Sequence, residues 1–454
     1  MKSHRPRKRL SLTQLTMLVL VAVGLGAGLA YLSFGDKSLP QLTRNVRYRI
    51  GLAGAAPPGQ WGVYEAVRGE SDLDPEQVAE IRRLRSLGYA GGTVPARAGA
   101  GVTAHQPDSA SRGLRFFTSG HMPGAFLMDP FGRTLHTWRL PYEECIKQSP
   151  ASAGTFRDDA KGVTACWRRA HLFPGGDVLA IFEGHGLVKI DHDSKVIWSY
   201  PGPCHHDLEV ARDGTIFVLT RETEIVPDIN PDQPVLVDYI THLSAEGELL
   251  GAVDLLTAFK GSVYASCLDQ LADSGDIFHT NTLEVLDGRA AHLSPLFAEG
   301  NFLISLREPG YIAIVDQWTE KVVWAMNGMW SAQHQPTLLE NGNILLFDNR
   351  GHKGRSKVIE IDPFTQEVVW SFADNPIHPL YSRTCGSCSR LPNGNTLITE
   401  SDNGRALEVA ADGSIVWEFR NPQRTGEEQE FIAAILEMVI LPDDFQPGWI
   451  SAPQ

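Results

Sequence analysis

The chain has 454 residues, a formal charge of −14 at pH 7, 43 glycines, 28 prolines and 43% hydrophobic residues, a composition that suits a large, turn-rich globular protein. The acidity argues against a nucleic-acid partner, because phosphate binding needs a basic footprint. Six cysteines (145, 166, 204, 267, 385 and 388) are too sparse for a disulfide scaffold, and length alone permits several domains or one closed all-β array.

At the N-terminus, Lys2, Arg5, Arg7, Lys8 and Arg9 precede Leu15–Phe34, an uncharged run long enough to cross a bilayer as one helix. The basic cluster predicts a cytoplasmic tail, so residues 1–35 read as tail plus membrane anchor, with the rest of the chain periplasmic or otherwise extracytoplasmic. Gly28-Leu29-Ala30 offers the rival reading, a cleaved signal peptide. Either way the bulk of the chain is exported, and an oxidising compartment would favour bridges such as Cys145–Cys166 or Cys385–Cys388. The CGSC spacing at 385–388 also invites a zinc or redox reading, but no second CxxC accompanies it.

Residues 36–111 read as connecting material with one amphipathic helix at about 75–88. Asp72 or Asp74 can cap it, Pro75 fits its first turn, Gly88 can end it, and Val78, Ile81, Leu84 and Leu87 make its apolar face. The Gly-, Ala- and Ser-rich segment 91–113 reads as a linker.

From residue 112 to 454 a repeat takes over. Its second half, a strand, a turn and a strand that often ends at tryptophan, occurs six times, at 125–138, 186–200, 239–254, 311–326, 357–372 and 406–419. Its first half, a glycine turn and a strand, occurs as PGGDVLAIF, RDGTIFVLT, AEGNFLISL, ENGNILLFD and PNGNTLITE. Hairpins of this kind cannot bury both faces alone, so their sheets must stack, and closing the stack into a ring removes exposed edges. An all-β, six-bladed β-propeller follows, preceded by the anchor and the helical linker. The apolar run Phe431–Leu441 either closes the ring or covers one face.

In a propeller the innermost strands line a central channel, and the residues just upstream of each glycine turn are the ones to inspect. They include His171, His205, His206, His279 and His334. His206 and His334 each stand eight residues before a turn glycine (Gly214, Gly342), and so does His292 before Gly300, so spacing does not select the functional ones. Arg307 ends a strand, where its charge must face water, an anion, or a salt-bridge partner such as Glu308 or Asp316.

From about Arg112 onward the chain resembles the bacterial arylsulfate sulfotransferases. The matching pieces are HHDLEVARDGTIFVLTRE (205–222), HTNTLEVL (279–286), GNFLISLR (300–307) and QHQPTLLENGNILLFDN (333–349), in that order. The resemblance implies a ping-pong transfer of a sulfuryl group from a phenolic sulfate ester to a phenol, through a sulfated histidine and without metal or organic cofactor. It implies His334 as the nucleophile, with His279, Arg307 and His206 completing the catalytic set. His205, Asn281 and His171 are the further substrate-binding candidates. The implied partners are the small-molecule donor and acceptor and, through the N-terminal helix, a membrane; homodimerisation is left open. Two other readings compete. A noncatalytic, membrane-tethered binding propeller would scatter the histidines, and a metal- or quinone-dependent propeller would need channel carboxylates, for which Asp207 and Glu284 are the close choices.

Overall fold

The computed structural model describes residues 76–77, 94–96, 99–148, 166–373, 379–425 and 428–450. The anchor Leu15–Phe34 lies outside them; among the described residues no helix is long and apolar enough to cross a membrane. Of the expected helix at 75–88 only Glu76 and Gln77 are described, and both are helical.

Alternation of apolar and polar residues with glycine turns gives strands, and the strands pair into six antiparallel blades. From the channel outward, blade 1 is Ile435–Ile440, Arg115–Ser119, Gly124–Met128 and Thr134–Arg139. Blade 2 is Ala170–Leu172, Val178–Phe182, Gly186–Ile190 and Val196–Tyr200; blade 3 is Cys204–Val210, Ile216–Glu224, Val235–Leu243 and Leu249–Asp254, with Gly275–Asp276 added in parallel beside its third strand. Blade 4 is Thr280–Val285, Phe302–Leu306, Tyr311–Asp316 and Lys321–Asn327. Blade 5 is His334–Leu338, Ile344–His352, Arg355–Ile361 and Val368–Phe372. Blade 6 is Ser387–Arg390, Thr396–Glu400, Arg405–Val409 and Ile415–Arg420, with Gly101–His105 as a fifth, outermost strand.

The last strand corrects the sequence expectation that 91–113 is linker throughout: Gly101 pairs with Arg420 and His105 with Trp417. The C-terminal run supplies the inner strand of blade 1, Arg115 pairing with Ile440 and Thr118 with Glu437. The ring is therefore closed at both termini of the propeller. This also explains why five first halves accompany six second halves in the sequence.

Blade stacking accounts for the apolar runs. Val178, Ala180 and Phe182 point into the core shared with blade 1, while Leu179 and Ile181 point into the core shared with blade 3. The same alternation fills a separate core at each of the other blade interfaces. Glycine turns recur in one form: Leu339 N–H donates to Asn343 O and Gly342 N–H to Leu339 O, with Gly342 at φ 82°, a conformation that favours glycine. Outer-strand tryptophans tie blades 1, 2, 5 and 6 each to the next, with Trp138 Nε1–H donating to Gly176 O, Trp198 to Ala245 O, Trp370 to Ala411 O and Trp417 to Pro130 O, at 2.8–3.2 Å. All six cysteines are free, so neither expected bridge forms; Cys145 is packed in the core between blades 1 and 2 and Cys388 in the core between blades 5 and 6.

Candidate active site

At the start of the inner strands of blades 3, 4 and 5 stand histidines, His205-His206 just after Cys204, His279 just before Thr280 and His334 itself, each beside an irregular step. His206 and His279 hold the left-handed conformation at φ 52° and 51°, and Gln335, next to His334, does so at 49°. Non-glycine residues rarely adopt that region, and doing so costs of order 1–3 kcal/mol. The ladders slip at the same places, between Val218 and Thr220, Thr280 and Thr282, and His334 and Thr337. Extra residues in the inner strand, two in blade 3 and one each in blades 4 and 5, break the ladder beside the histidine.

The histidines converge. His205 Nδ1 and His206 Nδ1 lie 2.9 Å apart, so one donates and the other accepts. The His206 ring meets the His279 ring edge-on, centroids 4.9 Å apart. His279 Nδ1 is 3.0 Å from Asp276 Oδ2, and His206 Nδ1 is 3.7 Å from Glu183 Oε1. His334 Nδ1 is 2.8 Å from Asn349 Oδ1 and 3.0 Å from the Ala332 carbonyl. The Asn349 amide orientation is fixed, because its Nδ2 donates to Ser382 O (2.9 Å) and Cys385 O (2.7 Å). His334 Nδ1 thus faces two acceptors and carries the proton, which leaves the lone pair on Nε2.

The site is nearly dry: His334 is 4% exposed and His206 3%. Burial, and then the charges of Arg168, Arg307 and His279, push His334 down to about 3 against its hydrogen bond to Asn349 Oδ1. Burial, with Arg168 and His279 next, holds His206 far below the usual histidine range. His205 is pushed down to about 3 by burial and by Arg221. All three rings are neutral near pH 7. Burial opposes the charge of Asp276, but the hydrogen bond from His279 and the charge of Arg221 hold its carboxyl below the ordinary range.

The remaining sequence candidates fall in different places. Arg307 N–H donates to His279 O at 3.2 Å, and its guanidinium pairs with neighbouring Glu308 while its charge still reaches His334. Asn281 Nδ2 donates to Gln333 O at 2.8 Å, fastening blade 4 to the residue before His334. His171 lies apart from the cluster, its ring edge-on to Phe173 at 4.8 Å. His292 is exposed in the turns between Val285 and Phe302, so its spacing to Gly300 is incidental. Asp207 and Glu284, the carboxylates a metal or quinone enzyme would use, accept N–H bonds across blade interfaces, from Leu283 (2.9 Å) and Leu338 (2.8 Å). Asp207 is also paired to Arg169 at 2.7 Å.

Sequence reasoning missed Arg168, Glu183, Asp276 and Asn349. The doubled arginine ahead of His171 and the Asp-Asn pair ending LLFDN were the only signals, and neither has a spacing that singles it out. Among the described residues Glu183, His205 and His206 form a triple able to hold a metal ion, their ligand atoms all within 4.8 Å. The permanent charge of Arg168, 3.8 Å from Glu183 Oε2, opposes a cation there and favours an anion.

The family model described as arylsulfotransferase (ASST) matches residues 169–422, more than half of the chain and nearly all of blades 2 to 6. Comparison with curated proteins finds no match. Among solved structures, a protein of unknown function from Bacteroides caccae is 12% identical, covering 72% of this chain and 98% of its own, with a TM-score of 0.48. A streptogramin B lyase is 14% identical, covering 77% of this chain and 95% of its own, with a TM-score of 0.41.

Proposed function

The chain belongs to the arylsulfotransferase family, and from that membership and the convergent histidines we propose that it moves a sulfuryl group from a phenolic sulfate ester to a phenol through a sulfated His334. The observation that carries this reading is the fixed tautomer of His334: a buried, neutral imidazole whose Nε2 has a free lone pair beside cationic groups. In the first half-reaction Nε2 attacks sulfur, the N–S bond forms, the S–O(aryl) bond breaks, and the departing phenolate takes a proton from protonated His279. In the second, neutral His279 takes the proton of the acceptor phenol, whose oxygen attacks sulfur, and the N–S bond breaks to return His334 as it began. Asp276 orients His279 through its Nδ1, as a carboxylate behind a general acid–base histidine does. His206 and Arg307 stabilise the nonbridging oxygens, where charge gathers in a loose transition state. Exposure rises to 45% at the Glu308 side chain, marking the side from which a phenol would approach. The convergence of blades 3 to 5 favours this reading over a noncatalytic binding propeller.

The test is transfer from p-nitrophenyl sulfate to phenol, with mass spectrometry of protein quenched in the absence of acceptor. One sulfuryl group on the peptide containing His334, and loss of both adduct and turnover in His334→Asn, is the expected result. Unchanged turnover in His334→Asn removes the proposal.

A further inference from the structure

Arg168 is 6% exposed and stands at the channel end of blade 2, ahead of the strand Ala170–Leu172 and one residue before the stretch matched by the family model. Its main chain is fixed, N–H donating to Ile181 O at 3.0 Å. Its side chain is not satisfied. The Nε atom is buried without a hydrogen-bond partner, and Glu183 Oε2, at 3.8 Å, is beyond hydrogen-bond reach. Among the described residues no other guanidinium nitrogen of Arg168 has a hydrogen-bond partner either. A guanidinium cannot discharge itself by losing its proton, so a buried one with empty donors is costly unless an anion meets it.

The neighbouring arginines are differently placed. Arg169 is bonded to Asp207, Glu437 and Gln335, and Arg307 is paired with Glu308. Arg168 is also the charge that weighs most on both rings at the heart of the site, His206 and His334, once burial has had its effect. The Glu183 carboxylate that it faces at 3.8 Å lies 3.7 Å from His206 Nδ1, so the guanidinium borders the histidine cluster.

We infer that Arg168 is a catalytic residue: its guanidinium donates directly to the nonbridging oxygens of the sulfuryl group at His334, with Glu183 holding the fork in place. This assignment rests on the sulfuryl-transfer reading above. A planar fork suits a tetrahedral oxyanion, because it gives two parallel donors where lysine gives a point charge.

The experiment compares wild type with Arg168→Lys, Arg168→Gln and the charge-balanced double variant Arg168→Gln/Glu183→Gln. Each is scored for kcat and KM with p-nitrophenyl sulfate and for thermal stabilisation by inorganic sulfate, with chloride at matched ionic strength as control. Arg168→Gln should lower kcat/KM by about 10²-fold or more, the usual cost of one oxyanion donor. Arg168→Lys should recover part of that loss, and sulfate stabilisation should vanish in both glutamine variants. Folded glutamine variants with wild-type sulfate stabilisation and kcat/KM within about threefold overturn the assignment. Should neither glutamine variant fold, a crystal structure of wild type with sulfate decides: sulfate within hydrogen-bond distance of the Arg168 guanidinium supports it, and sulfate held elsewhere in the channel overturns it. The two proposals separate cleanly. A wild type that binds sulfate through Arg168 but forms no adduct refutes the transfer reaction alone, and an active wild type with an indifferent Arg168→Gln refutes this assignment alone.

Discussion

A neutral imidazole offers one lone pair and one N–H, so a nucleophilic histidine needs a partner that decides which nitrogen is which. For His334 that partner is Asn349, itself clamped by two carbonyls from the stretch before blade 6. Asn349→Ala removes one of two acceptors at Nδ1 and loosens the ring, at a cost of about 1–3 kcal/mol. That corresponds to a kcat for p-nitrophenyl sulfate about 5- to 150-fold lower, with KM nearly unchanged because Asn349 faces the histidine and not the channel. A change confined to KM would mean that Asn349 touches substrate instead. The buried rings also set a slope of stability with pH. His334 and His205 fall to about 3 and His206 falls in the same direction, so the unfolded chain binds protons that the folded one refuses. Their contribution is complete above the unfolded value near 6.5 and is lost as pH drops from there toward about 3. Denaturation midpoints should fall between pH 6 and 4, and His334→Asn should flatten that fall; an equal slope in the variant means the ring is not held neutral. The sequence placed His334, His279 and His206 just upstream of inner-strand turns without selecting them by spacing, and the fold brings His206 and His279 into contact. Arg168 and Asp276 were not legible there, since each reaches the site by a fold-level juxtaposition that no local spacing encodes.

At the scale of the element, the blade is a four-strand unit whose outer half is more regular than its inner half. The outer hairpins repeat with a turn, and in blades 1, 2, 5 and 6 with a tryptophan whose indole N–H fastens one blade to the turn of the next. All six were therefore readable in the sequence. Inner strands vary in where their ladders break. Blade 3 places its left-handed residue at His206 and blade 5 at Gln335, although Val210 and Leu338 pair equivalently with Ile216 and Ile344. The shared eight-residue spacing of His206 and His334 thus does not give the two rings the same orientation, and counting residues could not reveal the bulge that separates them. The stretch after the inner strand of blade 4 shows the same limit: 286–301 is a turn-rich insertion that makes His292 look like a channel residue.

For the whole molecule, closure is the property that local reading could not settle. A ring of stacked sheets is stable only if its first and last blades meet. Here the meeting is made twice, by Ile435–Ile440 inside blade 1 and Gly101–His105 outside blade 6. Arg115, fully buried, reinforces the seam from blade 1 with its charge 3.6 Å from Glu408 and its guanidinium over the Trp417 ring at 4.8 Å, both in blade 6. The inner closing strand also brings Glu437 to Arg169, so it both shuts the ring and tethers the arginine next to Arg168. A chain ending at Ala434 leaves Arg115–Ser119 as a bare apolar edge, which costs its hydrogen bonds and the burial of Ile435, Leu436 and Met438. Its expected behaviour is loss of the single cooperative thermal transition and of transferase activity together. A synthetic peptide of residues 435–450 added in trans should restore both, since an extended segment can complete an exposed sheet edge. If the truncated chain melts at the wild-type temperature, the seam is held by blade 6 and its outer strand alone, and the inner strand serves only the channel.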